Sequence, residues 1–185
     1  MEPLYGSGLL WQPAGVCTRL ETPSGFIESS RSNPHGIRNQ VWKDSEDSYM
    51  HHDGTLATGE STASIETVGE TFDALNNAAL IQEMRPSPLW PMSSSELRRV
   101  AKGLQSKLIA FFWLEDRFAL GVERNKAGVQ IPMDSQASNQ GRLLDSKILD
   151  GPNYLSFRKA IAEALTDSQL LGWAGLRTLS ANHPA

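Results

Sequence analysis

Two amphipathic stretches separated by prolines constrain this chain more than anything else in it. Over residues 61–84, Ile65, Val68, Phe72, Leu75, Ala79 and Leu80 recur at spacings of three and four. Such spacing puts them on one stripe of an α-helix, whose turn takes 3.6 residues. Pro86, Pro88 and Pro91 then withhold backbone donors and stop the helix, so residues 85–92 read as a connector. Ser93 and Glu96 stand at capping-box spacing, where each side chain accepts the other's free backbone N–H. A second helix is expected from there to about Leu114, with Leu97, Val100, Ala101, Leu104, Leu108, Ile109 and Phe112 on its apolar face. Gly103 inside it costs ~1 kcal/mol relative to alanine.

The pattern is looser elsewhere. Residues 1–30 are rich in Gly, Pro, Ser and Thr with weak periodicity, and residues 1–24 are expected to be poorly structured. Leu4 to Trp11 reads as a frayed helix end, and Thr22-Pro23-Ser24-Gly25, Asn33-Pro34 and Asp53-Gly54 read as turns. Gly25-Phe26-Ile27-Glu28 is a short extended piece. Phe118-Ala119-Leu120-Gly121-Val122, a turn over residues 125–128 and Val129-Gln130-Ile131 make one small β-hairpin. Leu143, Leu144, Ile148 and Leu149 suit a short helix, and Phe157, Ala160, Ile161, Ala164 and Leu165 a clearer one. The fold class is mainly α with long loops, and residues 25–185 form one domain.

Composition excludes several functions. A net charge of −4 gives no electrostatic footprint for nucleic acid. Cys17 is the only cysteine, so no internal disulfide forms, and Cys and His are too few and scattered for a zinc cluster. His51 and His52 are adjacent and would point apart on a strand, which speaks against a shared metal. A basic n-region and a membrane-length apolar run are both missing, so a cytoplasmic protein without a membrane partner is expected. Phosphate-binding, dinucleotide and nucleophile-elbow motifs are absent, and the sequence implies no cofactor. An EF-hand spacing from Asp44 or Asp47 fails for want of a Gly at the sixth position.

Chemistry concentrates in Asn39-Gln40-Val41-Trp42-Lys43-Asp44-Ser45-Glu46-Asp47-Ser48. Carboxylates beside an indole suit a sugar site. A protonated carboxylic acid can protonate a glycosidic oxygen, and a flat indole covers the apolar face of a pyranose. Lys, Asn and Gln supply hydrogen bonds to hydroxyls. The plain reading of the same residues is a solvated acidic turn. For Trp42, Trp90, Trp113 and Trp173, burial in the core is the plain expectation.

Four separated sets of residues carry a resemblance. The first is Gly25-Phe26-Ile27-Glu28 with Gly36-Ile37-Arg38-Asn39-Gln40-Val41-Trp42-Lys43-Asp44-Ser45-Glu46-Asp47-Ser48. The second is Asp53-Gly54-Thr55-Leu56-Ala57 with Glu66-Thr67-Val68-Gly69. The third is Phe112-Trp113-Leu114-Glu115-Asp116 with Ser138-Asn139-Gln140-Gly141-Arg142-Leu143-Leu144. The fourth is Gly175-Leu176-Arg177-Thr178-Leu179-Ser180 with His183-Pro184-Ala185. In this order they resemble the bacterial amylo-α-1,6-glucosidase (glycogen-debranching) type of glycoside hydrolase, with its relatives among trehalases and mannosylglycerate hydrolases.

The resemblance implies part of an (α/α)6 toroid, the six-hairpin glycosidase architecture, with the sugar site in its central funnel. It implies inverting hydrolysis of α-glucosidic bonds, with Asp47 as general acid. Trp42 and Lys43 would line the subsite, Asp44 would contact sugar hydroxyls or orient the loop, and Arg38, Asn39 and Gln40 would hold the loop or touch the sugar. The partner so implied is an α-glucan or small glucoside. Val41, Glu46, Arg142 and Asp145 depart from the family's pattern. The family's general base is a glutamate much further along, outside this chain, so the resemblance is to a fragment. An incomplete ring would leave stripes such as Leu97, Leu104 and Leu108 partly uncovered and open to self-association. The alternative is a non-catalytic carbohydrate-binding or interaction fragment that keeps half of the site.

Overall fold

The computed structural model describes residues 24–31 and 35–184. The expectations for residues 1–23 and for Asn33-Pro34 lie outside the described residues. Chain order is β1 (Ser61–Ser64), α1 (Ile65–Met84), α2 (Ser94–Phe112), β2 (Gly121–Arg124), β3 (Gln130–Met133), α3 (Arg142–Asp145), α4 (Leu155–Thr166), β4 (Leu171–Gly172) and β5 (Gly175–Leu176). Short 3-10 turns at Ser138–Gly141 and Lys147–Leu149 flank α3. The fold is mainly α with a small antiparallel sheet.

The first helix starts four residues later than its periodicity suggests. Ser61–Ser64 is extended, and the Ser64 side chain caps α1 by accepting from the Thr67 N–H at 3.3 Å. A cap needs β-region backbone, and Ser64 has it. The freed strand then pairs antiparallel with β2, Ser61 opposite Arg124 and Ser64 opposite Gly121. The expected hairpin is β2–β3, Gly121 opposite Met133, and it joins β1 in a sheet ordered β1-β2-β3. Its turn closes with Gly128 at φ +81 and the Asn125 carboxamide accepting from Ala127 and Val129.

α2 begins with the expected capping box: Ser93 accepts from Glu96 N–H and Glu96 accepts from Ser93 N–H. A bidentate pair, Arg98 to Glu83, ties its second turn to the end of α1. The two helices pack on each other, and α3 and the 3-10 turns cover the side of α1. Leu97, Leu104 and Leu108 are therefore 1%, 3% and 0% exposed, which corrects the expectation that they lie partly uncovered. Among the exposed apolar residues are Leu80, Ile81 and Met84 at the end of α1, Leu89 in the connector and Phe111 on α2. Leu80 thus leaves the stripe drawn for it.

Phe26 packs edge-on to Phe112 at 5.2 Å, drawing the segment before the acidic stretch onto α2. Trp90 and Trp113 pack against the main core. Trp42 and Trp173 do not, being 87% and 100% exposed, so two of the four tryptophans depart from the core expectation. A second apolar cluster, Tyr49, Ala57, Leu120, Met133 and Ala137, anchors the chain just after the acidic stretch against the sheet. Among the described residues no helix is long and apolar enough to cross a membrane.

Candidate functional site

Residues 39–48 fold into a loop tied from inside. Asn39 is 2% exposed, and its amide donates to the Ser45 carbonyl at 2.7 Å and reaches the Ser48 hydroxyl at 3.4 Å. Ser48 shares its own proton between the carbonyls of Lys43 and Ser45. The short polar side chains thus satisfy a loop backbone that has no ladder to join. Tyr49 and Met50, both buried, hold the loop's far end.

This tether turns Trp42 and Lys43 towards α1. Together with Glu66, Glu70, Ser138, Asn139, Arg142 and Thr178 they line a pocket of about 240 Å³. Glu66 enters from the first turn of α1, where the helix dipole favours an acidic group. Asn139 comes from the 3-10 turn and donates its amide to Glu66 Oε1. Ser138 N–H donates to the Thr178 carbonyl at 3.2 Å, which brings the C-terminal segment to the rim. Arg142 and Glu70 pair across the opening at 3.3 Å.

Glu66 is 5% exposed and its charge reaches two neighbours. Burial pushes the Lys43 ammonium below the usual lysine range, and the Glu66 carboxylate partly restores it. Burial, then the same carboxylate, push the Tyr49 phenol far above its ordinary value. The buried Glu66 Oε2 and Asn139 Oδ1 have no hydrogen-bond donor. The pocket therefore offers an exposed indole, two waiting acceptors and a lysine, a set that suits a polyhydroxylated ring.

The structure separates the residues singled out in the acidic stretch. Trp42 and Lys43 line the pocket; Asp44 and Asp47 are exposed and do not. Asn39 holds the loop. Gln40 donates to the Ser30 carbonyl at 3.4 Å, and Arg38 makes a long 3.5 Å contact to the Gly59 carbonyl beside a separate polar pocket. Glu66 and Asn139 were not picked from sequence as site residues, although both lie in segments that carry the resemblance. Their signal was only that a carboxylate and an amide fell in those segments.

A second polar cluster lies apart from this pocket. His51 meets Glu123 at 2.9 Å, and His52 meets Asp134 at 2.5 Å, tying the loop after residue 50 to the sheet. Burial opposes ionisation of Asp134, but bonds from the His52 N–H and ring outweigh it and hold the carboxyl below its ordinary value. Among the described residues no group of three or more His, Cys, Asp or Glu is arranged to hold a metal ion. Comparison of the chain with protein-family models, with curated proteins and with solved structures finds no match in any of the three.

Proposed function

We propose that this chain is part of a cytoplasmic glycoside hydrolase of the amylo-α-1,6-glucosidase type, and that the Trp42–Glu66 pocket takes a glucosyl unit of an α-glucan or small glucoside. One observation carries the reading. Four segments that resemble the family, far apart in sequence, each send residues to a single pocket: Trp42 and Lys43, then Glu66, then Ser138 and Asn139, then Thr178. Chance resemblance gives no reason for that convergence. In this reading the helices belong to an (α/α)6 toroid and the pocket faces its funnel. Hydrolysis is inverting: Asp47 protonates the leaving oxygen, and a base outside this chain activates water on the other face of the ring.

The exposure of Asp44 and Asp47, away from the pocket lining, favours a second reading, in which the chain binds the sugar without cleaving it. Titration with isomaltose and methyl α-D-glucoside, alongside an isomaltose hydrolysis assay, separates the two. Binding that is lost in Trp42→Ala supports both. In a longer chain that includes the base, hydrolysis that falls ~10²-fold or more in Asp47→Asn selects the enzyme. Binding without hydrolysis by that longer chain selects the second reading, and no binding of any α-glucoside refutes both.

A further inference from the structure

We infer that Glu66 and Asn139 form a hydroxyl-reading pair in the wall of this pocket, and that the ligand they select is a neutral sugar presenting two neighbouring hydroxyls. The inference rests on the carbohydrate reading above and names the residues that choose among sugars.

Glu66 and Asn139 are 5% and 6% exposed, and they are joined by the Asn139 amide donating to Glu66 Oε1. That bond fixes which way the amide faces, since a reversed amide would set its oxygen against a carboxylate oxygen. Glu66 Oε2 and Asn139 Oδ1 are then left buried and without a donor on two residues joined to each other. A buried acceptor without a donor destabilises a fold, and native proteins satisfy nearly all of them. Two such acceptors on linked residues, both lining one pocket, are complementary to two donors on one ligand.

Hydroxyl and ammonium groups both donate, and the charges around the pocket decide between them. Lys43 and Arg142 balance Glu66 and Glu70, and Arg142 already pairs with Glu70. The Glu66 carboxylate is compensated by Lys43, whose ammonium feels its field. A cationic ligand would meet Lys43 and gain little, whereas a hydroxyl completes the hydrogen bonds without adding charge. The exposed Trp42 indole beside the pair gives the apolar face of the same ring a surface.

The test titrates the full chain with methyl α-D-glucopyranoside and its 2-, 3-, 4- and 6-deoxy analogues by NMR chemical-shift perturbation. Wild type and Glu66→Gln are compared, with thermal unfolding run on both. The expected result is that loss of one or two adjacent hydroxyls weakens binding to wild type ~10-fold or more. Glu66→Gln should weaken the parent glucoside by a similar factor and lose nothing further with the critical deoxy analogue. Glutamine still accepts from Asn139, so its Tm should stay within about 4 °C of wild type. If wild type binds the glucoside and every deoxy analogue equally, the pair reads no hydroxyl and the inference fails while the carbohydrate reading stands. Normal binding by Glu66→Gln has the same meaning. Absence of binding by every saccharide removes the inference and the reading together. The deoxy series on wild type decides the matter even if the variant does not fold.

Discussion

Replacing Asn39 by alanine separates holding the loop from touching a sugar. The buried Asn39 amide gives Ser45 O a donor at 2.7 Å and lies 3.4 Å from Ser48 Oγ. The Ser45 carbonyl keeps two other donors in the variant, the Ser48 hydroxyl at 2.7 Å and the Ser48 N–H at 3.3 Å. It is therefore not orphaned, and the expected cost is one ordinary hydrogen bond, about 1 kcal/mol. For a chain of this length that lowers Tm by about 2–4 °C. Asn39→Asp should cost more, because a carboxylate would face the Ser45 carbonyl with nothing to donate. Asp44→Asn and Asp47→Asn, both exposed, should change stability by no more than about 0.5 kcal/mol. Thermal unfolding measures all four, and amide hydrogen exchange over residues 39–48 reports whether the loop opens. If Asn39→Ala leaves Tm and exchange untouched and lowers only saccharide affinity, Asn39 is a ligand contact and the tethered-loop argument is wrong.

Other expectations follow from single residues. Burial would raise the Glu28 carboxyl, but bonds from Ser24, Ser61 and Arg124, with the Arg124 charge, hold it below its ordinary value. A depressed folded value contributes stability that is complete above the unfolded glutamate value of about 4.3 and is lost as pH falls through the folded one. Stability against pH should accordingly flatten on the acid side in Glu28→Gln, and an unchanged acid limb would contradict this. Gly103 lies inside α2 with no atom within 4 Å of an added Cβ, so Gly103→Ala should raise stability by about 0.5–1 kcal/mol in denaturant titration. Leu108 is fully buried, so Leu108→Ala should lower stability by about 2–5 kcal/mol and increase hydrophobic-dye binding, which should be low in the parent chain. High dye binding by the parent would mean that the α1–α2 packing is not closed in solution.

Local signals made much of the fold legible. The Ser93/Glu96 box, the prolines after α1 and the Asn125–Gly128 turn all act within a few residues, and each appears where its chemistry put it. Ser61 to Ser64 resembles a helix start, because small polar residues before an apolar stripe commonly cap one. Their strand character comes from pairing with β2, about sixty positions away, and no local pattern records it. The expectation of an incomplete ring leaves Leu97, Leu104 and Leu108 exposed, whereas the packing of α2 on α1 in one core covers them. The candidate site divides the same way. Trp42 and Lys43 stood out by residue type, and the structure brings them to one pocket. Asn39 stood out for the same reason but is spent on the loop. Glu66 and Asn139 meet across 73 positions, so their pairing needed the fold.

The most direct test of the account is a crystal structure of the chain grown with an α-glucoside such as isomaltose. The account predicts a glucosyl ring lying against the Trp42 indole, with adjacent hydroxyls donating to Glu66 Oε2 and Asn139 Oδ1 and Lys43 beside them. A saccharide bound elsewhere, or an empty Trp42–Glu66 pocket at saturating ligand, would contradict it.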